Sequence, residues 1–157
     1  MNNNVNPHKH LQFLLDEHEK IISHIRELKD WWDQLNEKGL PKFEEMGTRV
    51  KGFRDLLAKH FVDEEREGYF KPVFDEAPGF CIMVPDFKKT HAEILCRMDD
   101  FITQLKETEH PFQSWGEALQ KLEEILADLR KHEDQEIKMV QQAFNQSVSK
   151  KADIQNQ

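Results

Sequence analysis

The chain has 157 residues, with 22 Lys and Arg against 30 Asp and Glu, a formal net charge of -8 and a pI near 5.5. That length suits a single domain built round one continuous core, and the acidic balance excludes a nucleic-acid surface, which needs a clustered excess of Lys and Arg. Lys88-Lys89 and Lys150-Lys151 are too short for that and read as solvated helix ends. The start, Met1 to Asn6, is polar and lacks an apolar signal region, and no stretch approaches the ~20 apolar residues of a membrane span, so a cytoplasmic protein is the expectation.

Four long helical segments follow in order. The first opens at Asn6-Pro7, a capping residue followed by proline at the first helical position. Leu11, Leu14, Leu15, His18, Ile21, Ile22, Ile25 and Leu28 share one face of it, at helical spacing, and it stops near Gly39-Leu40-Pro41. The second spans about Lys42 to Phe70 and aligns Met46, Val50, Phe53, Leu57, His60 and Glu64. Gly47 and Gly52 weaken its early part, each by about 1 kcal/mol against alanine. A loop rich in proline and aromatics is expected from Lys71 to Pro85, with Asp86 as the next N-cap. The third segment then carries Phe87, His91, Ile94, Leu95, Met98, Phe101, Ile102 and Leu105 up to His110-Pro111. Ser114 and Glu117 form a capping box for the fourth, with Trp115, Leu119, Leu122, Ile125, Leu126, Leu129, His132, Glu136, Met139 and Val140 on its apolar side. The tail from about Ser147 is polar and expected to fray.

Short connections between long amphipathic helices predict an all-α fold, an antiparallel up-down-up-down four-helix bundle. Counting places the histidines within it. His18 and His60 each lie about 18 to 19 residues from the first turn, roughly 27 Å along the helix at 1.5 Å per residue. His91 and His132 lie about 17 and 18 residues from the turn near Thr108 to Ser114, roughly 26 Å. Each pair therefore sits at one depth, and the loop joining the second and third helices lets the two pairs share a layer.

Two of these histidines begin the same H-x-x-x-E spacing, His60 with Glu64 and His132 with Glu136. Residues four apart project about 40° apart on a helix, so each unit presents an imidazole and a carboxylate to one site. Four histidines and two glutamates give each of two metal ions two imidazoles plus shared carboxylate bridges, a donor set that suits iron or manganese rather than calcium. Octahedral ions so held keep open positions for oxygen, peroxide or nitric oxide. A single histidine on an apolar stripe is more often a packed core residue. Six inward-facing polar groups are different, because each unsatisfied one costs roughly 1 to 3 kcal/mol. His24 lies off the stripe, His8, His10 and His110 fall near termini or loops, and all four read as solvated. Asp63, Glu65 and Glu133 border the ligands and read as surface carboxylates, with hydrogen bonding to the imidazoles as the alternative. Phe53, Phe61, Phe87, Met98 and Trp115 read as core. Cys81 and Cys96 lack metal or redox spacing and are expected as buried, reduced thiols.

At Glu17-His18-Glu19, His60-Phe61-Val62-Asp63-Glu64-Glu65, Tyr69-Phe70-Lys71-Pro72, Thr90-His91-Ala92-Glu93-Ile94 and His132-Glu133-Asp134-Gln135-Glu136, the chain resembles the hemerythrin family, more closely its HHE cation-binding branch. The resemblance covers nearly the whole chain, as one domain over 1–157 with a core of about 7–146. It implies a non-haem diiron centre, oxo- or carboxylate-bridged, with Glu64 and Glu136 as bridges and His18, His60, His91 and His132 as terminal ligands; manganese or zinc are possible substitutes. Leu95 stands where oxygen carriers of the family have a further histidine, and Glu136 replaces their H-x-x-x-x-D carboxylate, which counts against reversible oxygen transport. Leu56 and Thr90 occupy positions where iron-sulfur-repair members carry glutamates. The expected function is binding, sensing or detoxifying oxygen or reactive oxygen and nitrogen species. The alternatives are a diiron enzyme acting on peroxide or nitric oxide, and an iron storage or donor protein. A small diatomic or peroxide ligand is the expected partner.

Overall fold

The chain's computed structural model describes residues 7–38, 42–66, 68–107 and 112–155. It is all-helical: α1 spans Pro7–Lys38, α2 Phe43–Glu65, α3 Lys71–Glu76, α4 Val84–Glu107 and α5 Trp115–Gln155, with a 3-10 helix at Pro78–Met83 between α3 and α4. Asn6, Gly39 to Pro41 and His110-Pro111, which carry three of the expected helix boundaries, lie outside the described residues, as do the side chains of His8, His10 and His110. No helix among the described residues is long and apolar enough to cross a membrane.

Three boundaries differ from the sequence reading, each for a local reason. α2 ends at Glu65, short of Phe70, because Arg66 turns extended and Gly68 takes φ +94°, a left-handed conformation that glycine reaches without penalty. The segment read as a loop is instead α3 and the 3-10 helix. Pro72 and Pro78 each fall in the first turn of their element, where a missing N–H costs nothing, and Val73 and Ala77 turn inward. α4 consequently begins at Val84, and Asp86 sits in its first turn, complementing the helix dipole rather than capping it. At α5 the Ser114 Oγ accepts the Glu117 N–H at 3.1 Å, while the Glu117 carboxylate accepts the N–H of Gln113 at 2.9 Å. This is the expected capping box shifted by one residue. α5 continues helical past Ser147 to Gln155.

Side-chain pairs fix how the long helices run. Arg54 donates to Asp99 at 2.8 and 3.2 Å, and Glu65 meets His91 further along, so α2 and α4 pass in opposite directions. Lys121 with Gln104 and Arg97 with Asp128 set the same relation for α4 and α5. Trp32 stacks on Trp115 with ring centroids 5.3 Å apart, while His18 meets Glu136 toward the other end of α1 and α5. Arg49 lies over Trp31, 4.1 Å from its centroid, and holds α2 to α1. Gly47 explains itself by this packing: a Cβ there would stand 2.8 Å from Lys106 Cγ and 3.5 Å from Leu105 Cβ.

The apolar interior falls into two parts. The larger runs from Ile21, Leu57, Phe61, Ile94 and Leu129 toward Trp32, Met46, Phe101 and Leu122. The smaller gathers Leu14, Phe87, Met139 and Val140 with Phe70 and Val73, so that α3 closes that end. On α1, α4 and α5 the named histidine falls between the two, and on α2 His60 sits at the edge of the larger one, beside Phe61. The substitution Leu122→Ala, at a fully buried position, should cost about 2–5 kcal/mol of stability with helical content retained. Chemical denaturation followed by circular dichroism measures it, and a loss under about 1 kcal/mol would contradict close packing there.

Candidate metal centre

Between the two apolar clusters lie His18, His60, Glu64, His91, His132, Glu133 and Glu136, which make up the whole set of buried polar or charged side chains among the described residues. α1 supplies His18, α2 His60 and Glu64, α4 His91, and α5 His132, Glu133 and Glu136. The six residues named from the sequence are therefore all brought to one layer. Their donor atoms gather into two overlapping groups: His18, His60, Glu64, Glu133 and Glu136, and Glu64, His91, His132 and Glu136, with the atoms of each group within 4.8 Å of one another.

Each shared carboxylate divides its oxygens between the groups. Glu64 Oε1 lies 2.5 Å from His60 Nε2 and 3.1 Å from His18 Nε2, while its Oε2 lies 3.1 Å from His91 Nε2. Glu136 mirrors this, with Oε2 at 2.6 Å from His18 Nε2 and Oε1 at 2.5 and 3.2 Å from His132 and His91 Nε2. Both H-x-x-x-E units thus present an imidazole and one carboxylate oxygen to one side and the other oxygen across the layer.

The surroundings orient the imidazoles. His18 Nδ1–H donates to the Leu14 carbonyl at 2.6 Å, which turns Nε2 toward the cluster, where a metal ion would take the place of its proton. His91 Nδ1 faces Glu65 Oε1 at 3.3 Å. Phe61 stacks on His91 at 3.9 Å between centroids, and Phe87 meets His132 edge-on at 5.4 Å. These two phenyl rings, read from the sequence as core, also wall the site against water.

Several polar atoms here make no hydrogen bond: His60 Nε2, both oxygens of Glu64, His132 Nδ1 and both oxygens of Glu133. The His60–Glu64 approach is short but lacks hydrogen-bond geometry. Leaving such groups unsatisfied costs roughly 1 to 3 kcal/mol each, whereas a cation in the cluster takes His60 Nε2 and carboxylate oxygens of Glu64 and Glu133 as ligands; His132 Nδ1 lies on the far side of its ring from the cluster. The donor set of imidazole nitrogen and carboxylate oxygen, free of sulfur, fits a first-row metal ion.

Electrostatics follow from the same geometry. Burial alone would push the His18 imidazole down, but the hydrogen bond to Glu136, the close carboxylate of Glu64 and the charge of Glu133 outweigh it and raise the pKa from 6.5 to about 11. Burial likewise opposes, and carboxylate partners overcome it, at His60, raised to about 10 by Glu133 and Glu64, and at His91, raised to about 9 by Glu136 and Glu64. For Glu64 and Glu136 burial acts upward, yet the histidines around them hold both carboxyls below the usual range. Glu133 goes the other way: burial, reinforced by Glu64 and Glu136, raises it despite His60 and His18.

The structure places six further residues that the sequence singled out. Glu133, read as a surface carboxylate, is fully buried in the cluster. Its signal was present in the spacing: Leu122, Leu126, Leu129, Glu133, Glu136 and Val140 alternate by four and three along one stripe, so position 133 continues the core. Glu65 is partly exposed and acts as the acceptor beside His91, whereas Asp63 pairs outward with Arg66. His24 is half-exposed, as expected. Cys81 and Cys96 are free but exposed, not buried. Cys81 lies in the 3-10 helix, of which no residue is buried, and Cys96 falls on the outer face of α4, opposite the stripe through His91, Ile94 and Met98.

Helices that converge on a buried layer of imidazoles and carboxylates define a cation-binding helical protein. The model of the hemerythrin HHE cation binding domain matches residues 9–143, and the chain belongs to that family. Comparison with curated proteins and with solved structures gave no significant match.

Protein stripped of metal by a chelator should lose stability on the alkaline side. Folded His18, His60 and His91 hold protons up to about 11, 10 and 9 against 6.5 unfolded. Their stabilisation is therefore complete below about pH 6.5 and is lost progressively as pH rises toward 11. Raised Glu133 acts in the same sense, and lowered Glu64 and Glu136 lose their contribution only as pH falls below the ordinary carboxylate range. Thermal melts of the stripped protein between pH 6 and pH 10.5 check this, and a midpoint that rises with pH would contradict it.

Proposed function

We propose that the chain is a hemerythrin-like diiron protein whose four long helices form an antiparallel up-down-up-down bundle in a single domain. His18, His60, His91 and His132 are its terminal ligands, and Glu64 and Glu136 are its bridges. The observation that carries this reading is the division of both glutamates, each giving one oxygen to the His18/His60 side and the other to the His91/His132 side. A single-ion site has no use for that arrangement, whereas two ions sharing two carboxylates require it. The four opposed helix pairings support the bundle.

Two iron ions in this layer would supply redox chemistry and coordination positions for a small molecule. The chain's own residues bind and orient. Leu14 and Glu65 hold the tautomers of His18 and His91, and Phe61 and Phe87 keep the layer dry. A cleft of about 490 Å³ leads from solvent past Phe70, Phe74 and Phe87 to Glu64 and His91. Such a site suits binding, sensing or detoxifying oxygen or reactive oxygen and nitrogen species. The cleft also favours a second reading, turnover of peroxide or nitric oxide, because it gives a route for exchange.

Protein expressed with iron and purified gently should contain two iron ions per chain by elemental analysis; one equivalent of zinc, or no metal, would refute the proposal. Glu64→Ala and Glu136→Ala should each lose at least one ion, and full retention in both would remove their bridging role. Adding oxygen and then peroxide to the reduced protein separates the two readings by absorption: a stable, reversible spectrum supports binding, and rapid gas release from peroxide supports turnover.

A further inference from the structure

The two halves of the centre differ in their donors. Glu64 and Glu136 serve both, and each half has two imidazoles, but Glu133 belongs to one half alone. Its Oε2 lies 3.7 Å from His18 Nε2 and its Oε1 3.4 Å from His60 Nε2. The residue is fully buried, and neither oxygen completes a hydrogen bond. An ionised or protonated carboxyl in that condition is costly, and the nearest protein donors, the two imidazoles, stop short of hydrogen-bond geometry with it. The His91 half has no equivalent, since Leu95, one turn further along α4, offers no donor atom.

Access is unequal in the opposite sense. The cleft past Phe70, Phe74 and Phe87 is lined by His91 and Glu64, and a second depression on the surface is lined by His132 with Thr90, Ile94 and Gln135. Neither is lined by His18, His60 or Glu133. The half with fewer donors is the half that opens outward.

We propose, resting on the two-metal reading above, that Glu133 is a seventh protein ligand, a terminal carboxylate given only to the ion at His18 and His60. With five protein donors, that ion would be closed by the bridging oxygen as its sixth, and exogenous small ligands would bind at the ion held by His91 and His132, which has four. A carboxylate added to one ion raises its affinity and favours its higher oxidation state. The centre is then intrinsically asymmetric, with one ion retained and the other reached from the cleft.

Anaerobic titration of chelator-treated protein with iron(II), followed by calorimetry, tests the ligand role. Wild-type protein should take up two ions. Glu133→Gln, which preserves side-chain volume, should weaken one step by at least about tenfold, the lower end of what even outer-shell changes produce, and leave the other step unchanged. Azide added to the oxidised, iron-loaded protein tests the placement of the open position: one azide per chain in the wild type and a second in Glu133→Ala. A merely structural Glu133 would not create a second azide position. Wild-type protein that takes two ions, with both variants matching it in iron affinity and azide stoichiometry, overturns the role of Glu133 alone, as do two azides in the wild type. Wild-type protein that takes fewer than two ions overturns this inference together with the diiron reading beneath it. Circular dichroism of the metal-free variants confirms that each is folded, and Glu133→Gln carries the test if Glu133→Ala is not.

Discussion

Seven polar side chains occupy a layer that apolar clusters close on both sides, and burying them is the constraint on which the remaining structure turns. The geometry among four imidazoles and three carboxylates leaves His60 Nε2 and the oxygens of Glu64 and Glu133 without a completed hydrogen bond. The interior raises the cost of each unpaired group and strengthens every interaction among charges. Raised His18, His60 and His91 and lowered Glu64 and Glu136 are the protein's partial answer with protons alone. Cations satisfy the same atoms without requiring a donor for each.

Helix register makes the layer possible. Because residues four apart on a helix project nearly together, His60 with Glu64 and His132 with Glu136 reach the same depth from α2 and α5, while His18 and His91 come from α1 and α4, which run the other way. The larger apolar cluster fixes those helices against one another through Trp32, Phe101 and Leu122. The smaller one, closed by α3, seals the other side. α3 exists because Gly68 ends α2 early and lets Phe70 and Val73 fold back over the layer. That same turn leaves the cleft beside His91, so the element that shields the centre also frames its approach.

Much of this was legible in the chain. Apolar periodicity located the four long helices, and residue counting put the four histidines at one depth, because helical rise is constant and the turns are short. What escaped had local or tertiary causes. Segment 71–85 has no run long enough to show a helical period, so its short helices are decided by packing of Phe70, Val73 and Ala77. Glu133 was legible in its four-three spacing with Leu126 and Leu129, yet a charged residue next to a histidine reads as solvent-facing until the opposite helices are in place. Exposure of Cys81 and Cys96 depends on which face of a turn or helix looks outward, and composition carries no information on that.

The division of Glu64 and Glu136 across the layer is the feature that ties fold to proposed function, and it has a direct test. Crystals of iron-loaded protein measured at the iron absorption edge should show two anomalous peaks per chain, one against His18 and His60 and one against His91 and His132, with Glu64 and Glu136 between them. A single peak, or iron bound away from these side chains, would contradict the account.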